Sequence, residues 1–312
     1  MSTDSTILLI HRGGLGDFLM AWPAMWNICV RFSNSRIYWI GPQSRLHWLR
    51  PLGVQPSPRD LQQVFDSLFG REDWPEEFGE TRIFWFVLDA HPPVPDHPNL
   101  HILPGIPPET EEQKIDIPLI PPRESYLQHL DRLGIHGDGS WQAAWRDLFG
   151  RRSGQAIPGN GVLLFPGAGH VIKQWSVVQF FELADWLEKQ GRVVRFVLGP
   201  AETDRGMDIR DFPVICPNTL EELQNLLQHA EFVVGNDSGP MHLAGMLGVP
   251  GVVLFGPASE KQWGPPGLRP VGLDLSCRPC TLAGRITCGN PACMQGITQD
   301  MVRREIERLW KF

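Results

Sequence analysis

The segment from Val233 to Pro257, VVGNDSGPMHLAGMLGVPGVVLFGP, constrains the fold of this chain more than any other. Phe232, Val233 and Val234 form an apolar run, which Gly235-Asn236-Asp237-Ser238-Gly239-Pro240 interrupts. Met241 to Leu247 is helix-forming, Gly248 and Pro250 end it, and Gly251 to Phe255 is apolar again. That order predicts a buried parallel strand, a crossover helix and the next parallel strand. Asp237 or Ser238 suits the N-cap, and Pro240 suits the first turn, where a missing N–H is no loss. The backbone N–H groups beside Ser238 and Gly239 would then offer an anion site at the positive end of the helix. Gly239 leaves room for a bulky phosphate, and His242, one turn on, can add a donor. A plain capped helix in an α/β core explains the same pattern, and both readings stay open here.

Other segments repeat the strand–loop–helix order. Ile7 to Ile10 is apolar and leads into His11-Arg12-Gly13-Gly14-Leu15-Gly16-Asp17. Leu19, Trp22, Met25, Trp26 and Cys29 then follow at helical spacing. No G-x-G-x-x-G can be read in the loop, so it is not a dinucleotide fingerprint. Asp17 stands at the loop–helix junction, where the helix dipole favours a carboxylate but the carboxylate would repel a phosphate. The loop therefore suits a hydroxyl better than a diphosphate; a plain N-cap is the alternative. Arg12 either orients Asp17, contacts an acceptor anion or is solvated.

Arg36 to Gly41 and Arg82 to Asp89 read as strands, and Leu61 to Phe69 and Ser125 to Leu133 as helices. After Asp89 the chain is rich in proline, and no clear strand–helix repeat is predicted there. Residues 150–160, GRRSGQAIPGN, look like a linker. Gly161 to Pro166 restarts as a strand, followed by Gly167-Ala168-Gly169-His170-Val171-Ile172-Lys173 and a helix from about Ser176 to Lys189. The two glycines permit a turn with exposed N–H groups, and Lys173 is the lysine within reach of it. A solvated lysine before a helix is the bland alternative. Val193 to Gly199 is the next strand, and Glu202 stands just past its carboxyl end, where open α/β sheets bind ligands. Asn218-Thr219-Leu220 caps a further helix, and Val302, Ile306 and Leu309 share one face of a terminal one.

The 312 residues suit two domains. The net charge is −7, with 14 basic and 19 acidic side chains in residues 1–155 and 14 and 16 in residues 156–312. Neither half has the basic field of a nucleic-acid binder. No apolar stretch approaches the ~20 residues of a membrane span. The N-terminus lacks a basic region and cleavage site, so a cytoplasmic protein is expected.

The Gly235–Pro257 segment, the GGLGD loop and the glycine loop carrying Lys173 and Trp175 together resemble glycosyltransferase family 9, the ADP-heptose–lipopolysaccharide heptosyltransferases. The resemblance implies the GT-B architecture: two Rossmann-like domains facing across a cleft, an acceptor domain over 1–155 and a nucleotide-sugar domain over 156–297, with 298–312 a terminal helix crossing back to the first. It implies an inverting, metal-independent transferase moving a heptose or related sugar from an ADP-sugar. The acceptor would be lipopolysaccharide core or another glycan, free or lipid-linked, with peripheral contact at the inner membrane face as a further expectation. Asp17 is then the catalytic base, with Arg12 and Gly16 on the acceptor side. Ala168, Gly169, Lys173, Glu202, Asn218, Asp237, Ser238, Gly239 and His242 form the donor site. The absence of any D-x-D agrees with a diphosphate held without a cation.

Two other classes stay open: a nucleotide-sugar-binding protein without chemistry, and a sugar-nucleotide epimerase. Against the epimerase stand the missing dinucleotide fingerprint and the lack of a Tyr-x-x-x-Lys pair. A transferase acting on a protein is a variant of the main reading. Cys277-x2-Cys280-x7-Cys288-x4-Cys293 suits a tetrahedral zinc or iron site, or four free or oxidisable thiols.

Overall fold

The computed structural model describes residues 5–89, 91, 93–106, 120–150, 159, 161–280 and 288–310. The chain divides into two compact units, Met1–Gln142 and Ala143–Phe312. The sequence had placed the boundary at 155/156.

In the first unit the elements are β1 (Thr6–His11), α1 (Leu15–Arg31), β2 (Arg36–Ile40), β3 (Gln55–Pro56), α2 (Arg59–Asp66), β4 (Arg82–Val87), β5 (Leu100–Pro104) and α3 (Pro122–Arg132). Five parallel strands lie in the order β3-β2-β1-β4-β5. β1 is buried on both faces, as its unbroken run Ile7-Leu8-Leu9-Ile10 requires. On one face Leu8, Ile10, Ile83 and Trp85 pack with Phe65 and Leu68. α1 buries Phe18, Leu19, Trp22, Met25, Ile28 and Cys29, which is the apolar spacing read in the sequence.

One strand was not foreseen. β5 pairs with β4 from Ile83↔Leu100 to Val87↔Pro104, in the stretch expected to be irregular. It is an edge strand, so it needs hydrogen bonds on one side only, and a proline at its last position removes no ladder bond that matters.

In the second unit, which begins inside α4 (Trp141–Phe149), follow β6 (Val162–Phe165), α5 (Val177–Lys189), β7 (Val194–Val197), α6 (Pro200–Asp204), β8 (Val214–Ile215), α7 (Leu220–Gln228), β9 (Phe232–Asn236), α8 (Gly239–Leu247), β10 (Gly251–Phe255), α9 (Glu260–Trp263), β11 (Arg269–Gly272), α10 (Ala292–Gln295) and α11 (Gln299–Leu309). The six parallel strands run β11-β10-β9-β6-β7-β8. The strand, helix and strand expected over 233–257 are β9, α8 and β10, joined by the register Gly251↔Val233 to Leu254↔Asn236. α11 lies against α5, β10 and β11, with Val302 and Ile306 in the core of this unit. Most of the expected linker lies outside the described residues.

Both sheets are doubly wound. Strand order reverses between β1 and β4 in the first unit and between β6 and β9 in the second. Loops that leave the carboxyl ends of two such strands diverge and open a crevice where ligands bind.

Candidate functional site

In the first unit the loop after β1 runs into α1 through Gly13 and Gly14. Asp17 is the third residue of α1, and its Oδ2 accepts from the Gly14 N–H at 2.9 Å. The carboxylate thus closes the first turn of the helix and is half-buried. Arg12 does not join it. Its guanidinium pairs with Asp66 and lies over the Phe65 ring at 5.3 Å, and both charged side chains are largely exposed. Gly16 is in the first turn of α1, beside Asp17.

His11 and Arg45 complete this loop and were not singled out from the sequence. Both are buried, and Arg45 Nη1 lies 3.2 Å from His11 Nδ1. Burial first, and the Arg45 charge second, bring the His11 pKa from 6.5 down to about 3. Burial also lowers the pKa of Arg45, opposed by the Asp17 carboxylate. On the far side Tyr126 is buried and donates to the Val87 carbonyl at 3.0 Å. Burial, and then the Asp17 charge, push its hydroxyl pKa up.

In the second unit the loops after β6 and β9 meet. Asn236, the last residue of β9, is fully buried; its Oδ1 accepts from the Trp175 N–H at 3.0 Å, and its Nδ2 donates to the Pro166 carbonyl at 2.7 Å. These bonds clamp both ends of the Gly167–Gln174 loop to β9. Lys173 is thereby delivered to Asp237, with Nζ 2.8 Å from Oδ2. Asp237 does not cap α8. The N-cap is Ser238, in an extended conformation, and its hydroxyl makes no capping bond. Ser238 Oγ is buried and has no hydrogen-bond partner, beside the Gly239 N–H that opens α8; Pro240 has no N–H, and those of Met241 and His242 turn back to the Ser238 carbonyl. His242 is buried on the same helix.

Glu202 joins this loop cluster. Its Oε2 accepts from the Gly199 N–H at 3.0 Å. A Cβ on Gly167 would lie 2.3 Å from Glu202 Oε1, so a side chain there would displace the Glu202 carboxylate where the two loops touch. Ala168 is buried, whereas a Cβ on Gly169 would meet nothing within 4 Å. Asn218 has its backbone N–H bonded to Glu222 Oε2 at 2.7 Å, and Thr219 caps α7. The structure therefore gathers Lys173, Asp237, Ser238 and Gly239 at the β6/β9 switch point, with Glu202 against the same glycine loop. The N–H of Asn218 is already engaged.

The four cysteines lie near one another, close enough for the Cys280 thiol to feel the other three. Burial comes first and those neighbours second in raising its pKa. Cys280 Sγ donates to the Cys277 carbonyl at 3.2 Å, and Cys288 Sγ to the Asn290 carbonyl at 3.0 Å. Among the described residues no three His, Cys, Asp or Glu side chains are arranged to hold a metal ion, so the zinc or iron site that the spacing suggested finds no support there. Arg278, between the first two cysteines, donates to the carbonyls of Gly256, Leu273 and Ala258 and to Glu260. It fixes the turn that follows β10. Among the described residues no helix is long and apolar enough to cross a membrane.

Two doubly wound parallel sheets, each with polar side chains gathered at its switch point, define a protein of the GT-B class, built from two Rossmann-like domains. The profile of glycosyltransferase family 9 (heptosyltransferase) matches residues 127–288, and the chain belongs to that family. Lipopolysaccharide heptosyltransferase 3 of Escherichia coli is 29% identical over 162 residues, which are 46% of this chain and 46% of that one. The chain spans about half the length of the curated relatives it matches. Among solved structures, an E. coli heptosyltransferase with ADP superposes with a TM-score of 0.61 at 15% identity, covering 97% of this chain and 99% of that one. An iron-containing dodecameric glycosyltransferase from enterotoxigenic E. coli gives a TM-score of 0.62 at 18% identity, covering 97% and 75%. At these identities the likeness is one of fold.

Proposed function

We propose that this chain transfers a heptose or related sugar from an ADP-sugar to a hydroxyl of a glycan acceptor, with inversion and without a metal ion. Family membership supports the reaction class, and a relative of the same fold solved with ADP supports the adenine nucleotide. The observation that carries the reading is the β6/β9 switch point. A lysine, a buried hydroxyl without a partner and the open N-terminus of α8 converge there, a donor set suited to a diphosphate.

Asp17 takes the proton of the acceptor hydroxyl as its oxygen attacks the anomeric carbon. The bond from that carbon to the diphosphate breaks, and the electron pair leaves with the diphosphate. Lys173, the Ser238 hydroxyl and the Gly239 N–H meet the charge that builds there. Because fixed donors do this work, no step needs a cation. Lipopolysaccharide core is the acceptor we propose, in keeping with the curated relatives' names. A soluble nucleotide sugar as donor fits a cytoplasmic setting.

The test is Asp17→Asn. The asparagine oxygen can still accept from Gly14, so α1 keeps its first turn. Transfer to a heptose-deficient lipopolysaccharide core should fall by roughly 10²-fold or more, while ADP affinity stays within a few-fold. A variant that turns over like wild type places the base elsewhere and removes this role from Asp17.

A further inference from the structure

His11 closes β1, directly before the loop that carries Asp17, and only 2% of it is exposed. Its Nδ1 lies 3.2 Å from Arg45 Nη1. A guanidinium has donors only, so Nδ1 must be the acceptor. An imidazole that accepts at Nδ1 carries its proton on Nε2.

Arg45 is held in that position. Its guanidinium lies over the Phe18 ring at 5.3 Å, and Phe18 also stands edge-on to the His11 ring at 5.9 Å. Trp48 stacks on Phe18 at 5.9 Å. The arginine is buried in this aromatic wall, so the tautomer of His11 is set by packing rather than by solvent.

The opposite edge of the ring faces Gly13. A Cβ built on Gly13 would lie 3.2 Å from His11 Nε2 and 3.1 Å from Asp17 Oδ2. The imidazole edge and the carboxylate therefore flank the same glycine, an N–H donor on one side and a carboxylate acceptor on the other. That pair matches a hydroxyl group, which accepts through its oxygen and donates through its proton.

We propose that His11, with its proton fixed on Nε2 by Arg45, donates a hydrogen bond to the acceptor hydroxyl while Asp17 receives that hydroxyl's proton. This rests on the reading of Asp17 as the base. His11 touches substrate; Arg45 acts through His11 and is a positioning residue. The imidazole gives up no proton. It aligns the oxygen so that the O–H points at Oδ2 and a lone pair points away from the base, toward the carbon under attack. An imidazole that stays neutral serves this purpose, and burial together with Arg45 keeps His11 neutral well below pH 6.5. The charged groups around it are Arg45, against Nδ1, and Asp17, across Gly13.

The first measurement is a long-range proton–nitrogen correlation spectrum of the full, nitrogen-15-labelled chain, assigned with His11→Gln. The expected signal is a single neutral tautomer, bare at Nδ1 and protonated at Nε2, from pH 8 to pH 5. A proton on Nδ1, or a doubly protonated ring at pH 6, overturns the proposal. Arg45→Met should let both tautomers appear.

The second measurement is hydrolysis of ADP-heptose, with water standing for the acceptor hydroxyl. His11→Asn keeps a partner for Arg45 but is too short to reach the edge of Gly13. It should lower kcat at least ten-fold, with the KM for ADP-heptose within two-fold. His11→Gln returns an N–H near the Nε2 position and should recover part of the loss. Gly13→Ala crowds the imidazole edge and the Asp17 carboxylate and should lower kcat as well. Wild-type kcat in His11→Asn sinks the proposal even where Asp17→Asn is inactive. An active Asp17→Asn instead removes the base reading, while the spectrum still reports the tautomer of His11.

Discussion

Lys173 and Asp237 form an ion pair at 2.8 Å with side chains only 23% and 8% exposed. They come from loops after different strands, β6 and β9, and they meet because those strands are neighbours at the switch point. The carboxylate neutralises the lysine while the site is empty, and an arriving diphosphate must share that lysine. Lys173→Ala then has two costs. It removes a charge-assisted hydrogen bond, about 1.5–3 kcal/mol, and it leaves Asp237 unpaired beside the incoming anion. Asp237→Ala frees the lysine, so ADP affinity should hold or rise while recognition of the sugar falls. The double variant should bind ADP better than Lys173→Ala alone, with a coupling of about 1–3 kcal/mol. Calorimetric titration of ADP, the ADP-sugar and adenosine against all four proteins measures this. Adenosine should bind them alike; equal weakening of adenosine and ADP by Lys173→Ala would make the lysine a structural partner of Asp237 and nothing more.

Ser238 gives a second test at the same helix. Replacing an N-cap serine by alanine usually costs about 1 kcal/mol because a capping bond is lost. Here no such bond exists, and Oγ is buried without a partner. Ser238→Ala should leave the melting temperature of the free protein unchanged or raise it slightly. The hydroxyl is a donor waiting for a phosphate oxygen, so ADP affinity should fall by roughly 1.5–3 kcal/mol, the worth of a hydrogen bond to a charged group. Thermal denaturation with and without ADP separates the two effects, because only the ligand-induced rise should shrink. A drop in the melting temperature of the free protein would show that Ser238 caps α8 after all.

The strands and helices that bury continuous apolar runs could be read from the sequence; what joins them could not. β9, α8 and β10 announce themselves because a parallel strand covered on both faces has no polar positions to blur it. β5 did not, because Leu100–Pro104 is short, contains His101 and is surrounded by prolines. Asp17 and Lys173 stood out as charged residues at strand–helix junctions. Their partners did not, since Lys173 lies 64 residues from Asp237 and His11 lies 34 from Arg45. Asn236 was in plain view inside the Gly-Asn-Asp triplet, yet its role as the clamp on the lysine loop appears only when β6 and β9 are side by side. His11 carried one signal that could have found it: a titratable residue ending a run of four buried aliphatics.

His11 also makes the stability of the first unit depend on pH. In the unfolded chain the imidazole titrates near 6.5, and in the folded protein its pKa is about 3, first through burial and then through Arg45. Between those values the unfolded chain binds one proton more than the folded one, so stability rises with pH across the window. The contribution is fully present above about pH 6.5 and is lost progressively as the pH falls toward 3. Its slope approaches about 1.4 kcal/mol per pH unit, which amounts to about 2 kcal/mol between pH 7 and pH 5. Carboxylates contribute their own slope, so the comparison must be with His11→Gln, which has no titrating ring and should lose that much less over the same interval. Arg45→Met removes the second cause and should raise the His11 pKa, shrinking the difference from His11→Gln at the acid end of the window. Urea unfolding of the three proteins at pH 5, 6 and 7 decides it. Parallel curves for wild type and His11→Gln would mean that the ring titrates alike in both states, and that neither burial nor Arg45 holds it neutral.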